Sequence, residues 1–113
     1  MFKLIVLFSF LIFSIEAKGK CDISGLWKHS AKPATLFVDL SKAEISVHSH
    51  DNNSKVIGLV VLKNLEVNRA SSTWAAKMYS AAEDSFVSVQ ISSASCNQLI
   101  VSFNGEEVLR LLR

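Results

Sequence analysis

Short runs of alternating apolar and polar residues, separated by turn-forming residues, constrain this chain more than any other feature. Residues 36–40 and 43–47 form two such runs with only two residues between them, which predicts a hairpin with a short turn. Residues 73–79 and 86–91 alternate in the same way. Because a period of two places successive side chains on opposite faces of a strand, the pattern predicts β-structure.

The turns between these runs indicate how the strands are connected. Asn104-Gly105 is a dipeptide that favours positive φ and is typical of a two-residue hairpin turn. The apolar run at residues 56–67 is rich in β-branched residues, which favours a strand, and its length predicts a bend at Gly58 or near Asn64. The chain as a whole contains about eight short strands at intervals of ~8 to 12 residues, the pattern of an all-β barrel or sandwich.

Short connections between consecutive strands favour one of these architectures. Since an open meander of this size would leave two edges to protect, we expect a small antiparallel up-and-down β-barrel that is closed or nearly closed. Its interior side chains would fill it or leave room for one small ligand.

Residues 70–82 also fit a helix, because they are rich in alanine and begin with a Ser-Ser-Thr sequence that resembles a helix N-cap. We favour the strand interpretation, in which Trp74, Ala76 and Met78 share one face.

The first seventeen residues differ in composition from the rest of the chain. Lys3 precedes an apolar run at residues 4–15, and Ala17 ends a small-residue cleavage site, which are the features of a secretory signal peptide. An uncleaved membrane anchor is the alternative, but an apolar run of about twelve residues is short against the ~20 needed to span a bilayer. We therefore expect a signal peptide at residues 1–17, one β-barrel domain at residues 18–113, and an exported protein, periplasmic or secreted, with no stable membrane span after cleavage.

Cys21 and Cys96 are the two cysteines of the chain. In an exported protein they predict one disulfide, with two free thiols or an intermolecular bridge as the alternative. Closing a loop of ~75 residues removes about 4 to 5 kcal/mol of unfolded-state entropy in the simple chain model.

The charge of the chain points away from nucleic acid. The formal net charge is +2, and the lysines are scattered and never form a run. Such a charge is too small to imply nucleic acid or an anionic membrane as a partner. The four glycines are spread through the chain without forming a phosphate-binding loop, and we expect no cofactor.

The sharpest candidate for chemistry is the segment His48-Ser49-His50-Asp51. Two histidines at positions i and i+2 of a strand point to the same side, so that His48 and His50 would chelate a metal with Asp51 or His29 as a third ligand. The alternative, which we favour, is a polar hairpin tip whose histidines face water, because this spacing is common by chance and no second cluster supports a metal site.

Other catalytic patterns are missing from the sequence. No serine lies in a Gly-x-Ser-x-Gly elbow, and the acidic pairs at residues 83–84 and 106–107 flank predicted turns. We therefore expect no enzymatic activity.

Six side chains are candidates to line a ligand cavity inside the barrel, although residues of these types more often fill a small core. They are Phe37, Trp74, Met78, Tyr79, Phe86 and Phe103.

The opening Gly25-Leu26-Trp27 resembles the Gly-x-Trp motif that begins the first barrel strand of calycins, the lipocalin and avidin superfamily. The resemblance implies that Trp27 closes one end of the barrel and that an arginine of the last strand lies across its indole ring. Arg113, or alternatively Arg110, would supply this arginine, and the cation–π contact would contribute roughly 0.5 to 2 kcal/mol.

Most of the chain after the signal peptide also resembles a bacterial family of small exported proteins designated domain of unknown function 2147. The resemblance rests on Gly-x-Trp, a Gly-Leu-x-x-Leu-x-x-Leu segment at residues 58–65, Trp74 followed by Tyr79, and the final Arg113. The chain lacks the glycines that the family carries before the tyrosine, the Asp-Pro after it, and the tryptophan of a final Trp-x-Arg.

The expected function is that of a non-enzymatic exported barrel, a binding or envelope-associated module for a small ligand or a protein. One alternative is a metal-dependent hydrolytic enzyme that uses His48 and His50. Another is a secreted effector or inhibitor for which the disulfide-linked barrel is a rigid scaffold.

Overall fold

Eight antiparallel strands make up the described part of the chain, residues 21–113 of a computed structural model. The predicted signal peptide at residues 1–17, and residues 18–20 of the predicted domain, lie outside the described residues. The strands are β1 (Gly25–His29), β2 (Ala34–Asp39), β3 (Glu44–His50), β4 (Val60–Asn68), β5 (Thr73–Ser80), β6 (Ser85–Ser95), β7 (Gln98–Phe103) and β8 (Glu106–Leu112), with a 3₁₀ turn at Ser54–Val56 between β3 and β4.

The strands close into a barrel. Each strand is hydrogen-bonded to the next one along the chain, and β8 pairs with β1 through Lys28↔Leu112 and His29↔Leu111. The predicted all-β, up-and-down barrel of about eight strands is confirmed, whereas the helix considered for residues 70–82 is wrong, because β5 occupies that segment. Residues 21–113 include no helix with the length and apolar character that crossing a membrane requires.

The alternation of the sequence determines what lies inside the barrel. In β6, Val89 and Ile91 are buried while Phe86 and Gln90 are exposed, as a period of two requires. Fifteen buried hydrophobic side chains form the core, and no polar side chain of residues 21–113 is buried with them. They are Ile23, Trp27, Leu36, Val38, Ile45, Val47, Leu62, Leu65, Ala76, Val89, Ile91, Leu99, Val101, Leu109 and Leu111.

Positive φ angles mark the predicted turn and bend. Asn104 (φ 51°) and Gly105 (φ 84°) form the predicted hairpin turn between β7 and β8. Asn64 (φ 58°) lies within β4, where the pairing with β5 shifts between Lys63 and Glu66, so that the strand bends there as predicted.

The end of the barrel at which β1 begins is called the disulfide end here, because Cys21 and Cys96 are joined beside it. The regular strand starts at Gly25, whose φ of 109° turns the chain, and the four residues before it are not part of the sheet. One of them, Ile23, is nevertheless buried in the core. The segment at residues 21–24 therefore covers part of the disulfide end.

Candidate ligand site at the disulfide end

The predicted disulfide is present. Cys21 and Cys96 are bonded across 75 positions of sequence, with their Cα atoms 5.4 Å apart. The bond joins the segment before β1 to the turn between β6 and β7. It therefore fixes the covering segment to the β6–β7 turn at the barrel rim.

Trp27 lies in the core directly beneath this segment and is 1% exposed. Its Nε1–H donates a hydrogen bond of 2.9 Å to the backbone carbonyl of Ile23, so the polar atom of the indole is satisfied inside the barrel. The guanidinium carbon of Arg113 lies 4.1 Å from the centroid of the Trp27 ring. The structure thus places Arg113 over the indole, while Arg110 is paired with Glu107 at 2.7 Å.

Arg113 also holds the covering segment. Its Nε donates to the carbonyl of Cys96 (3.2 Å), its Nη1 to that of Ser24 (3.1 Å) and its Nη2 to that of Asp22 (2.7 Å). Hydrogen bonds from the hydroxyl and the backbone N–H of Ser24 lower the pKa of the Asp22 carboxyl, and Arg113 acts in the same direction. Trp27, Arg113 and residues 21–24 are called the closure below.

Beside the closure the same end of the barrel is open. A depression of about 420 Å³, called the mouth below, lies between the covering segment, the β4–β5 turn and the end of β6. Its lining combines apolar side chains with serines and one cation. The lining residues are Cys21, Ile23, Val67, Arg69, Ser72, Trp74, Ser93, Ala94, Ser95 and Cys96.

The apolar part of the mouth comes from strand register. Trp74 on β5 is paired with Val67 of β4 on one side and with Ile91 of β6 on the other, on the inward face of the barrel. Ile91 is fully buried, but Val67 is 45% exposed and Trp74 is half-buried, because the barrel opens at this level. Trp74 packs against the core and presents its remaining surface to the mouth.

The indole N–H of Trp74 makes no hydrogen bond within residues 21–113, where every buried side-chain nitrogen or oxygen has a partner. The two tryptophans of the disulfide end therefore differ, since the N–H of Trp27 is bonded inside the barrel and that of Trp74 is open to a ligand or to water.

Arg69 lies in the turn between β4 and β5. The turn is shaped by Asn68, whose side-chain oxygen accepts a hydrogen bond of 3.1 Å from the N–H of Ala70, and by the positive φ of Ser72 (58°). Arg69 is the one charged residue in the lining of the mouth, and it makes no ion pair or side-chain hydrogen bond within residues 21–113. Its donors are therefore available to an anion.

A β-bulge brings consecutive residues of β6 to the mouth. Ser93 pairs with Leu99 and Ser95 with Gln98, so Ala94 is the extra residue. The Ser93 hydroxyl donates to the carbonyl of Ser95 (2.7 Å), whereas the Ser95 hydroxyl accepts from the backbone N–H of Asn97 (3.2 Å). The Ser95 proton is thus left for another acceptor.

Only one of the six predicted cavity residues, Trp74, lines the mouth. Met78 and Phe103 are partly buried and pack against the core. The prediction is wrong for the other three, because they lie on the outer wall of the barrel, exposed at 37%, 43% and 37% for Phe37, Tyr79 and Phe86 respectively. Their strands alternate, and the neighbouring aliphatic side chains take the inward positions.

The candidate metal ligands are not assembled into a site. The pairing of β2 with β3 skips from Val47 to Ser49, so His48 is the extra residue of a bulge and is exposed, and the regular alternation that would place His48 and His50 on one side is interrupted. The Nδ1 atom of His50 accepts a hydrogen bond of 3.1 Å from the backbone of the following turn. Residues 21–113 contain no group of three or more His, Cys, Asp or Glu side chains placed to hold a metal ion, so neither Asp51 nor His29 completes one.

A second depression, of about 460 Å³, lies in the wall at the bulge of β4. Glu66 and Lys77 carry opposite charges in its lining, which contains no aromatic side chain. It therefore offers neither the aromatic surface nor the uncompensated cation of the mouth.

The sequence pattern does not single out Arg69, Ser93 or Ser95 as site residues. A usable signal for Arg69 is its position in the turn immediately before the strand that carries Trp74. The serines are adjacent to Cys96, which the predicted disulfide already places near the start of the barrel. The alternation that buries Val89 and Ile91 continues to Ser93, whereas the bulge at Ala94 has no comparable signal.

A comparison of the chain with protein-family models, with curated proteins and with solved structures gives no match. Function is therefore inferred from the geometry of the barrel.

Proposed function

We propose that this protein is an exported, non-enzymatic binding module that takes a small ligand at the mouth of its barrel. The observation that carries the proposal is the mouth itself, a depression of about 420 Å³ whose lining combines apolar side chains with one arginine and three serines. Sites for small molecules in proteins are concave, mostly apolar and of about 300 to 1,000 Å³, with a small number of polar groups that orient the ligand.

The disulfide is compatible with export, because such bonds persist in oxidising compartments. A calycin-like relationship, and one to the family of domain of unknown function 2147, are part of the same proposal. Arg113 stacked on Trp27 supports them, since this contact is the one that the calycin resemblance implies.

A ligand screen by nuclear magnetic resonance tests the proposal. The isotope-labelled protein, purified after export with its disulfide formed, is titrated with a library of small acids, amides, alcohols and amines. We expect at least one compound to shift the Trp74 indole signal together with the amide signals of Ser93 and Ser95.

Two variants of β6 provide the matched control. Ser93→Phe places an aromatic ring in the mouth, and Ser88→Phe places the same ring on the outward face of the same strand. Binding should be lost in the first variant and retained in the second. A library that shifts none of the mouth signals, or a hit that both variants bind equally, would overturn the proposal.

A further inference from the structure

We propose that the mouth is a site for a small amphipathic carboxylate, whose acid group binds Arg69 and whose apolar body packs on Trp74. This inference rests on the proposed function and specifies its ligand class. Three properties of the described lining support it: the sign of its charge, the number of its charged groups and the apolar surface of Trp74 and its neighbours.

Among residues 21–113, the charge of the mouth lining is that of a single guanidinium. Arg69 carries it and has no carboxylate partner in this part of the chain. The other polar side chains of the lining are the uncharged serines Ser72, Ser93 and Ser95. An anion therefore gains a charge-assisted hydrogen bond here, whereas a cation would be repelled.

One guanidinium suits a carboxylate better than a phosphate. The planar fork of arginine matches the two oxygens of a carboxylate in a bidentate pair, and the two single charges balance. A phosphate dianion would leave charge uncompensated, because the lining contains no second cation among residues 21–113. The free proton of Ser95 supplies a further neutral donor for a carboxylate oxygen.

The apolar part of the mouth specifies the rest of the ligand. Ile23, Val67 and Trp74 belong to the lining, Val67 and Trp74 are paired across β4 and β5, and Trp74 is half-buried. A flat or flexible apolar group covers this surface and releases its water, which is the usual source of affinity in such sites. The volume of about 420 Å³ lies within the range of sites for small molecules.

Two isosteric pairs of probes test the inference on the unmodified protein. Cinnamate is compared with cinnamamide, and octanoate with octanamide, by nuclear magnetic resonance titration of the mouth signals. In each pair the two compounds differ in charge while their apolar bodies are identical. We expect at least one carboxylate to bind about 10-fold or more tightly than its amide, and the pair that shows the preference identifies an aromatic or an aliphatic body.

Arginine variants test whether Arg69 causes the preference for the carboxylate over its amide. Arg69→Gln should weaken binding of the carboxylate about 10-fold or more and leave binding of the amide unchanged. Arg110→Gln, which removes an arginine of the outer surface, should change neither. Arg69→Lys should retain part of the preference, because lysine keeps the charge and loses the fork.

The outcomes separate this inference from the proposed function. If amides bind at the mouth as tightly as their acids, or if phenyl phosphate or cinnamylamine binds more tightly than cinnamate, the carboxylate inference is wrong and the ligand site stands. An unchanged preference in Arg69→Gln would overturn the role of Arg69. If no compound of any class shifts the mouth signals, both are wrong.

Discussion

Two tryptophans and two arginines lie at the same end of the barrel, and the protein uses them differently. At the closure, Trp27 is buried and Arg113 stacks on it while donating to three backbone carbonyls. At the mouth, Trp74 is half-buried and Arg69 makes no bond within residues 21–113. The same residue types therefore stabilise the fold at the closure, whereas at the mouth they leave apolar surface uncovered and hydrogen-bond donors unpaired within the described residues.

The covering segment accounts for this difference. Residues 21–24 supply the carbonyl that Trp27 uses and two of the three carbonyls that Arg113 uses, and the disulfide holds the segment against the end of β6. The segment lies over Trp27 and forms only one side of the mouth, through Cys21 and Ile23. The covering segment thus fills the barrel end at the closure and leaves the mouth open beside it.

The largest effect should come from truncating the tryptophan of the closure. Trp27→Ala removes a fully buried indole and should lower the free energy of unfolding by about 3 to 5 kcal/mol. Trp74→Ala removes a half-buried ring and should cost less than about 3 kcal/mol. Urea unfolding of both variants measures the difference, and an equal or larger loss in Trp74→Ala would contradict the assignment of the two rings.

Removing the disulfide should have the next largest effect. The double variant Cys21→Ser, Cys96→Ser should lower the free energy of unfolding by about 2 to 4 kcal/mol, because the unfolded chain is no longer constrained. The indole N–H of Trp27 should also exchange faster with solvent, since its acceptor Ile23 belongs to the released segment. A loss of stability with unchanged protection of this N–H would show that the disulfide is not needed to hold the closure.

Replacing the arginine of the closure should also destabilise the fold more than replacing the arginine of the mouth, but by a smaller amount than for the tryptophans. Arg113→Gln removes the cation–π contact and the three carbonyl bonds, and should lower the free energy of unfolding by about 1 to 3 kcal/mol. Arg69→Gln should change it by no more than about 0.5 kcal/mol, because no described contact is lost. Thermal unfolding of the two variants compares them. Equal destabilisation would show that Arg69 stabilises the fold, which would contradict its assignment as a ligand-binding residue.

The smallest effect concerns pH at the closure. The pKa of Asp22 is lowered from its ordinary value of 3.8 by the Ser24 hydrogen bonds, so its folded pKa lies below its unfolded one. Its contribution to stability is therefore fully present above the unfolded pKa and is lost as pH falls through the folded pKa.

A carboxyl-carbon titration by nuclear magnetic resonance checks this prediction. The midpoint of Asp22 should lie below 3.8 and should rise toward that value in Ser24→Ala, which removes the hydroxyl donor. A midpoint at or above the ordinary value, or one that Ser24→Ala leaves unchanged, would contradict the hydrogen-bonded state of this carboxylate.

The fold could be predicted from the sequence because its determinants are local. Alternation predicted the strands, Asn104-Gly105 predicted a hairpin, and the length of an apolar run predicted a bend at Gly58 or near Asn64, of which the structure shows the second. The disulfide followed from the count of two cysteines in a chain with an apolar leader. Each of these signals acts over a few residues or depends on composition alone.

The mouth could not be predicted, because it depends on bulges and on rim geometry. An extra residue at Ala94 allows three consecutive residues of β6, Ser93 to Ser95, to line the depression, and another at His48 interrupts the alternation that a metal site would need. The outward position of Tyr79 and Phe86 could have been predicted, since the alternation of their strands assigns them to the face opposite the apolar residues of the core. The position of a residue in the alternation therefore predicts whether its side chain faces the barrel interior better than its being aromatic does.

Hydrogen exchange of the two indole N–H groups tests the contrast between closure and mouth most directly. The N–H of Trp27, which is bonded to the Ile23 carbonyl inside the core, should exchange only with opening of the closure or global unfolding, whereas that of Trp74 should exchange rapidly. The signals are assigned with Trp74→Phe. Slow exchange of Trp27 with fast exchange of Trp74 is the predicted result, and equal protection of the two, or protection of Trp74 alone, would contradict the account.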